Sequence, residues 1–137
     1  FGVSPLFNHV PKKSLNIIDR SFTEVCNYIE HCEFYIGLSS GMSWLAHAMG
    51  KPVCMIANFL DENNEFELGI HDYLRITDES VCNNCWYTNT FDSGDWYWCP
   101  KHKNTDREFE CHKVITPERV MNELKKHPIF NQKLQTC

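Results

Sequence analysis

One stretch restricts the possible folds of this chain more than any other. Phe34-Tyr35-Ile36-Gly37-Leu38 and Pro52-Val53-Cys54-Met55-Ile56 are apolar runs of strand length, and between them Met42, Leu45, Ala46 and Met49 recur at helical spacing. The pattern predicts a strand-turn-helix-strand unit. Gly50 suits the left-handed position that closes a helix, and Pro52 cannot continue one.

The turn of that unit, Leu38-Ser39-Ser40-Gly41, is built of small residues that leave the first backbone N–H groups of the following helix uncovered. Such donors, at the positive end of the helix dipole, suit a phosphate. The plainer reading is that Ser40 caps the helix, Gly41 permits the turn and nothing binds.

The flanking sequence extends the alternation. Ser14 to Asp19 reads as a short strand, Ser21-Phe22-Thr23-Glu24 as a capping box, and Phe22, Val25, Cys26 and Ile29 as the apolar face of a helix ending near His31. Tyr73 to Thr77 is a further strand candidate. Alternating elements with short connections favour a parallel sheet, whose ligands collect at the carboxyl ends of the strands. Ser39 to Met42 lies at one such end. The loop from Asn58 to Glu67 lies at another, so Asn64 and Glu65 could face the same ligand; the alternative is a solvated acidic loop.

With 137 residues, 42% of them hydrophobic, the chain can bury the core of one domain. A net charge of -5 and scattered cations argue against a nucleic-acid partner. No apolar run has transmembrane length and no signal peptide is recognisable, so the expectation is a cytoplasmic protein without a membrane partner.

Of eight cysteines, Cys82, Cys85, Cys99 and Cys111 fall close together, while Cys26, Cys32 and Cys54 lie on apolar faces as small core residues. Two residues separate Cys82 from Cys85, thirteen separate Cys85 from Cys99, and eleven separate Cys99 from Cys111. A close thiolate pair joined by two later thiolates makes a tetrahedral metal site, closed and therefore structural. On spacing alone zinc is favoured, with iron as the runner-up. Disulfides or free thiols are the alternatives, and His102 or His112 could replace one cysteine. Trp86, Phe91, Trp96, Tyr97 and Trp98 would wrap the site, and Gly94 would turn the intervening hairpin. Beyond the excursion, Thr116-Pro117-Glu118 opens a helix whose buried face is Val120, Met121 and Leu124; Pro128 stops it, and the tail after Phe130 is expected to be loose.

Together these residues resemble one family. Phe34 to Ala46, Gly50-Lys51-Pro52-Val53, Asn64-Glu65-Phe66, and above all Cys82-x-x-Cys85-Trp86, Gly94-Asp95, Trp98-Cys99-Pro100-Lys101-His102-Lys103 and Phe109-Glu110-Cys111 are similar to the C-terminal portion of the bacterial autotransporter heptosyltransferases. That group is related to the lipopolysaccharide heptosyltransferases of glycosyltransferase family 9.

The resemblance covers about Asn16 to Leu124 and implies an α/β fold, part of the C-terminal, Rossmann-like domain of a GT-B glycosyltransferase with an inserted four-cysteine metal excursion. The implied division is residues 1–80 for the partial nucleotide-sugar-binding domain, 81–113 for the metal excursion, and 114–137 for the C-terminal helix and tail. It further implies an ADP-heptose donor, serine acceptors on an autotransporter passenger, and iron at Cys82, Cys85, Cys99 and Cys111, overriding the preference for zinc. Relatives contact the donor diphosphate through the turn matching Ser39, Ser40, Gly41 and Met42. The wider family often carries an acid and a histidine where this chain has Ser39 and Trp44, so what carries over is backbone donation from Ser40, Gly41 and Met42.

The acceptor half and its carboxylate base lie upstream in such enzymes. No catalytic residue is therefore assigned here, and the chain is expected to be a fragment, inactive alone, with an open sheet edge that favours a homo-oligomer. The competing reading is a metal-stapled protein-interaction module with no enzymatic activity.

Overall fold

The computed structural model describes residues 14, 15, 17, 19–58, 72–85, 90, 92–95 and 98–136. Helix α1 (Phe22–Glu30) leads to strand β1 (Tyr35–Leu38), helix α2 (Gly41–Ala48) and strand β2 (Val53–Ile56). Strand β3 (Tyr73–Ile76) and helices α3 (Glu110–Lys113), α4 (Pro117–Lys126) and α5 (Pro128–Thr136) complete the described elements. The strands form one parallel sheet in the order β1-β2-β3, with Leu38 opposite Ile56 and Ile56 opposite Ile76.

The two sheet faces carry two cores. Val53 and Met55 pack with Val25 and Ile29 of α1 and Ala46 of α2, joined by Tyr35 and Tyr73. Across the sheet, Cys54 and Ile76 pack with Val120 and Leu124 of α4 and Phe130 of α5. Alternation of side chains along each strand divides the residues this way. Cys54 is wholly buried, as a small core residue should be, whereas Cys26 and Cys32 are half-buried.

Local signals act where the sequence places them. Ser21 and Glu24 close the capping box of α1, with Ser21 N–H donating to the Glu24 carboxylate at 2.9 Å. Thr116 caps α4 by accepting from Arg119 N–H at 3.2 Å. Gly50 adopts φ 73°, and the N–H groups of Gly50 and Lys51 close α2 on the carbonyls of His47 and Ala46 at 2.9 and 3.0 Å.

Two expectations fail. Among the described residues between Ser14 and Asp19 none is in a strand; Asp19 turns the chain at φ 66° and Ile17 is buried as a loop residue. The tail after Phe130 is helix α5, not a loose end. Pro128 ends α4 and opens α5, where a missing N–H costs nothing. Phe130 is fully buried against Phe34, edge to face at 5.4 Å, and Lys133 pairs with Glu33 at 2.7 Å.

Strand β1 is an edge of the sheet among the described residues, and its Ile36 and Leu38 are 41% and 49% exposed. No helix of the described residues is long and apolar enough to cross a membrane.

Candidate functional site

The three strands end together, and Ser39 to Met42 follow β1 at that carboxyl end. From β1 the chain passes through Ser39 and Ser40 into α2. Ser40 is extended (φ -161°, ψ 170°), and the hydroxyl of Ser43 both accepts from Ser40 N–H at 3.1 Å and donates to the Ser40 carbonyl at 2.6 Å. The capping is thus done from inside the helix, by buried Ser43.

Burial pushes the Tyr35 phenol up, with Ser40 nearby partly offsetting the effect. The N–H groups of Ser43 and Trp44 turn back to the Ser40 carbonyl. Those of Gly41 and Met42 have no acceptor among the described residues. Gly41 is exposed, and a Cβ there would meet nothing within 4 Å. Two donors without an acceptor among the described residues therefore stand at the positive end of a helix, with open space beside Gly41.

Asn64 and Glu65 lie outside the described residues. A separate cleft at the opposite, amino end of the strands is lined in part by Glu30, Cys32, Lys51, Asp72 and Lys133. Lys51 donates there to the Glu30 carbonyl at 2.6 Å and Lys133 to Glu33 at 2.7 Å.

The cysteine excursion is attached at the carboxyl end as well. Asn84 takes the left-handed conformation (φ 56°) that asparagine tolerates, bending the Cys82-Asn83-Asn84-Cys85 turn so that the two sulfurs come within 3.8 Å. Tetrahedral thiolates ~2.3 Å from a metal ion stand ~3.8 Å apart, so this pair has the spacing of two ligands.

Cys85, Cys99 and Cys111 are buried, Cys82 is half-buried, and all four are free thiols. Burial pushes the Cys85 thiol up to about 11, with the Cys82 thiol adding to the effect, and burial raises Cys111, with Cys99 adding. Bare thiolates are thus disfavoured in this pocket, and a cation would supply the missing charge. The described donors that all lie within 4.8 Å of one another are a different set, Cys82, His102 and Glu110.

Glu110 is committed elsewhere. Its carboxylate accepts two bonds from Arg107, at 2.8 and 2.7 Å, and one from Cys82 N–H at 3.1 Å. Arg107, then the Cys82 N–H, hold its carboxyl down to about 2. A carboxylate engaged in this way fixes the backbone of the Cys82 turn. Sequence reading gave Glu110 no role, although its place three residues after Arg107 and beside Cys111 was visible. Asn58, a polar residue directly after a buried strand, was likewise passed over.

No family model matches the chain. Individual relatives do. The autotransporter heptosyltransferase BAHTCr of Citrobacter rodentium is 39% identical over 123 residues, 88% of this chain and 29% of the relative. The autotransporter heptosyltransferase TibC of enterotoxigenic Escherichia coli is 37% identical over 129 residues, 92% of this chain and 31% of TibC. The crystal structure of TibC, a dodecameric iron-containing heptosyltransferase, in complex with ADP-D-β-D-heptose superposes with a TM-score of 0.78 at 36% identity, covering 94% of this chain. Over the matched residues this chain is a homologue of the autotransporter heptosyltransferases.

The homology is to one part of those proteins, since the chain spans about 30% of the length of the relatives it matches. Heptosyltransferase ancestry does not by itself carry activity: BimC of Burkholderia thailandensis, 32% identical over 112 residues, is an inactive autotransporter heptosyltransferase.

Proposed function

We propose that the chain is the donor-binding part of a protein O-heptosyltransferase. In this reading residues 1–80 belong to the Rossmann-like C-terminal domain of a GT-B enzyme, residues 81–113 form a metal-binding excursion, and residues 114–137 close the domain. The observation that carries it is the open pair of N–H groups on Gly41 and Met42, at the carboxyl end of a sheet whose homologue TibC was solved with ADP-heptose.

Ser39, Ser40, Gly41 and Met42 receive the diphosphate of the sugar nucleotide, with Asn64 and Glu65 facing the same ligand. As the bond between the sugar and the phosphate breaks, negative charge grows on the departing ADP. Fixed N–H donors and the helix dipole stabilise that charge without reorganising. The acceptor half, its carboxylate base and the passenger serine belong to the part of such enzymes that this chain does not match. Transfer therefore requires more than these residues. The work takes place in the bacterial cytoplasm, and the exposed β1 edge supports assembly into a homo-oligomer.

The excursion holds a structural ion through Cys82, Cys85, Cys99 and Cys111. Four thiols free of disulfides are the donor chemistry of an iron or zinc site; Cys82 and Cys85 stand at ligand spacing, Cys99 and Cys111 would close on them when the ion binds, and the iron of TibC favours iron. When bound, the ion supplies a covalent staple to a loop-rich segment and leaves no open position for chemistry.

Calorimetric titration with ADP and with ADP-heptose tests the donor site. Gly41→Phe, whose side chain enters open space and covers the two N–H groups, should weaken binding about 10- to 100-fold, as charge-assisted bonds of about 1.5–3 kcal/mol are lost. Absence of nucleotide binding by the wild-type chain, or an unaltered Gly41→Phe, would refute the site.

The inactivity of BimC favours one second reading, a metal-stapled interaction module. That protein would bind its partner only when metal-loaded and be indifferent to ADP.

A further inference from the structure

Asn58 is wholly buried immediately beyond β2, and its hydrogen bonds run in one direction. Its backbone carbonyl accepts from Asn84 N–H at 2.8 Å, inside the Cys82-x-x-Cys85 turn. Its side-chain Nδ2 donates to the carbonyl of Cys111 at 2.5 Å, across 53 residues of sequence. The close cysteine pair and the most distant cysteine therefore hang from one residue.

The amide is not there to be satisfied itself. Oδ1 is buried with no partner among the described residues. A buried amide with an orphaned acceptor is costlier than an apolar side chain of the same size, so its presence asks for a reason. The bond to the Cys111 carbonyl supplies one.

Asn58 also occupies a telling place. Leu38 and Ile56 are the last paired residues of β1 and β2, so Ser40 and Asn58 each stand two residues beyond the same rung. The anchor of the cysteine arms is thus level with the donor turn, on the neighbouring strand.

We propose that Asn58 is the positioning residue of the metal centre: it fixes the arm bearing Cys111 against the Cys82-Cys85 turn and ties both to the sheet beside the donor turn. The proposal rests on the four-thiolate reading given above. Outer-sphere partners that orient metal ligands are worth about 10- to 100-fold in metal affinity.

The test loads the chain with cobalt(II), whose thiolate absorption bands report the sulfur donors, and then competes with a chelator. Asn58→Leu keeps the branched skeleton of the side chain and removes the donor; Asn58→Asp keeps the size and turns an acceptor toward the Cys111 carbonyl, carrying the test if the leucine variant does not fold. Ile29→Val, as deeply buried but in the core under α1, controls for a general loss of stability. The expected result is cobalt affinity lowered about 10- to 100-fold with shifted thiolate bands in the Asn58 variants, and neither change in Ile29→Val. Wild-type affinity and bands in an Asn58 variant overturn the proposal and leave the four-thiolate site standing. Failure of the wild-type chain to take up cobalt through its thiolates overturns both.

Discussion

Gly37 offers a sharp test of how the donor turn is supported. It lies in the middle of β1, and a Cβ built there would stand 2.4 Å from the Tyr35 hydroxyl and 2.8 Å from each of two ring carbons. Ordinary carbon contacts are about 3.5–4.0 Å, so the ring must swing away by about 1 Å. The backbone cannot move instead, because Gly37 is paired with Met55 in the middle of the ladder.

Swinging the ring costs overpacking of about 1–3 kcal/mol. Gly37→Ala should therefore destabilise the chain by about 1–3 kcal/mol in urea unfolding. In a Tyr35→Ala background the obstacle is gone, and the same change should become neutral or stabilise by up to about 1 kcal/mol, because glycine is a poor strand residue. The coupling between the two sites is the quantity read from the double-mutant cycle. A cost for Gly37→Ala that is the same in both backgrounds would refute the steric reasoning.

Two further outcomes follow from the second core and from the end of β3. Phe130→Ala should cost about 3–5 kcal/mol in urea unfolding, since the ring is fully buried between Phe34 and His127; a change under about 0.5 kcal/mol would mean that α5 is not docked. Asp78 is held down to about 2, first by the Ser80 hydroxyl and then by Arg119, which also donates to the Thr77 carbonyl at 2.9 Å. A lowered carboxylate contributes stability above its unfolded value near 3.9 that is lost as pH falls toward 2. Ser80→Ala should then raise the Asp78 titration midpoint in carboxylate NMR and bring acid unfolding to higher pH; an unmoved midpoint would contradict the assignment.

The strand-turn-helix-strand unit was legible because each of its signals is local: apolar runs of fixed period, a closing Gly50 and small residues at the turn. The same holds for the capping box at Ser21 and for Thr116 before Pro117. The close pair Cys82 and Cys85 was legible as well, since two intervening residues leave the sulfurs little room to separate. The strand expected at Ser14 to Asp19 is not formed among the described residues, because apolar character marks burial, and Ile17 is buried from a loop. The helix after Pro128 was missed for a related reason. Its sequence is weakly amphipathic, and its order comes from Phe130 entering a core shared with Cys54, Ile76 and Leu124 and meeting Phe34, almost a hundred positions earlier.

What the sequence determined alone is the chain's local grammar and its kinship, both carried by neighbouring residues. Tertiary structure alone decided which groups stay uncommitted and which are spent. Ser43 reaches back to Ser40, and Gly41 and Met42 keep donors with no acceptor among the described residues; Glu110 is spent on Arg107 and Cys82; and Asn58 joins two cysteine arms. A hydrogen bond depends on direction and distance across the fold, whereas sequence records only order along it.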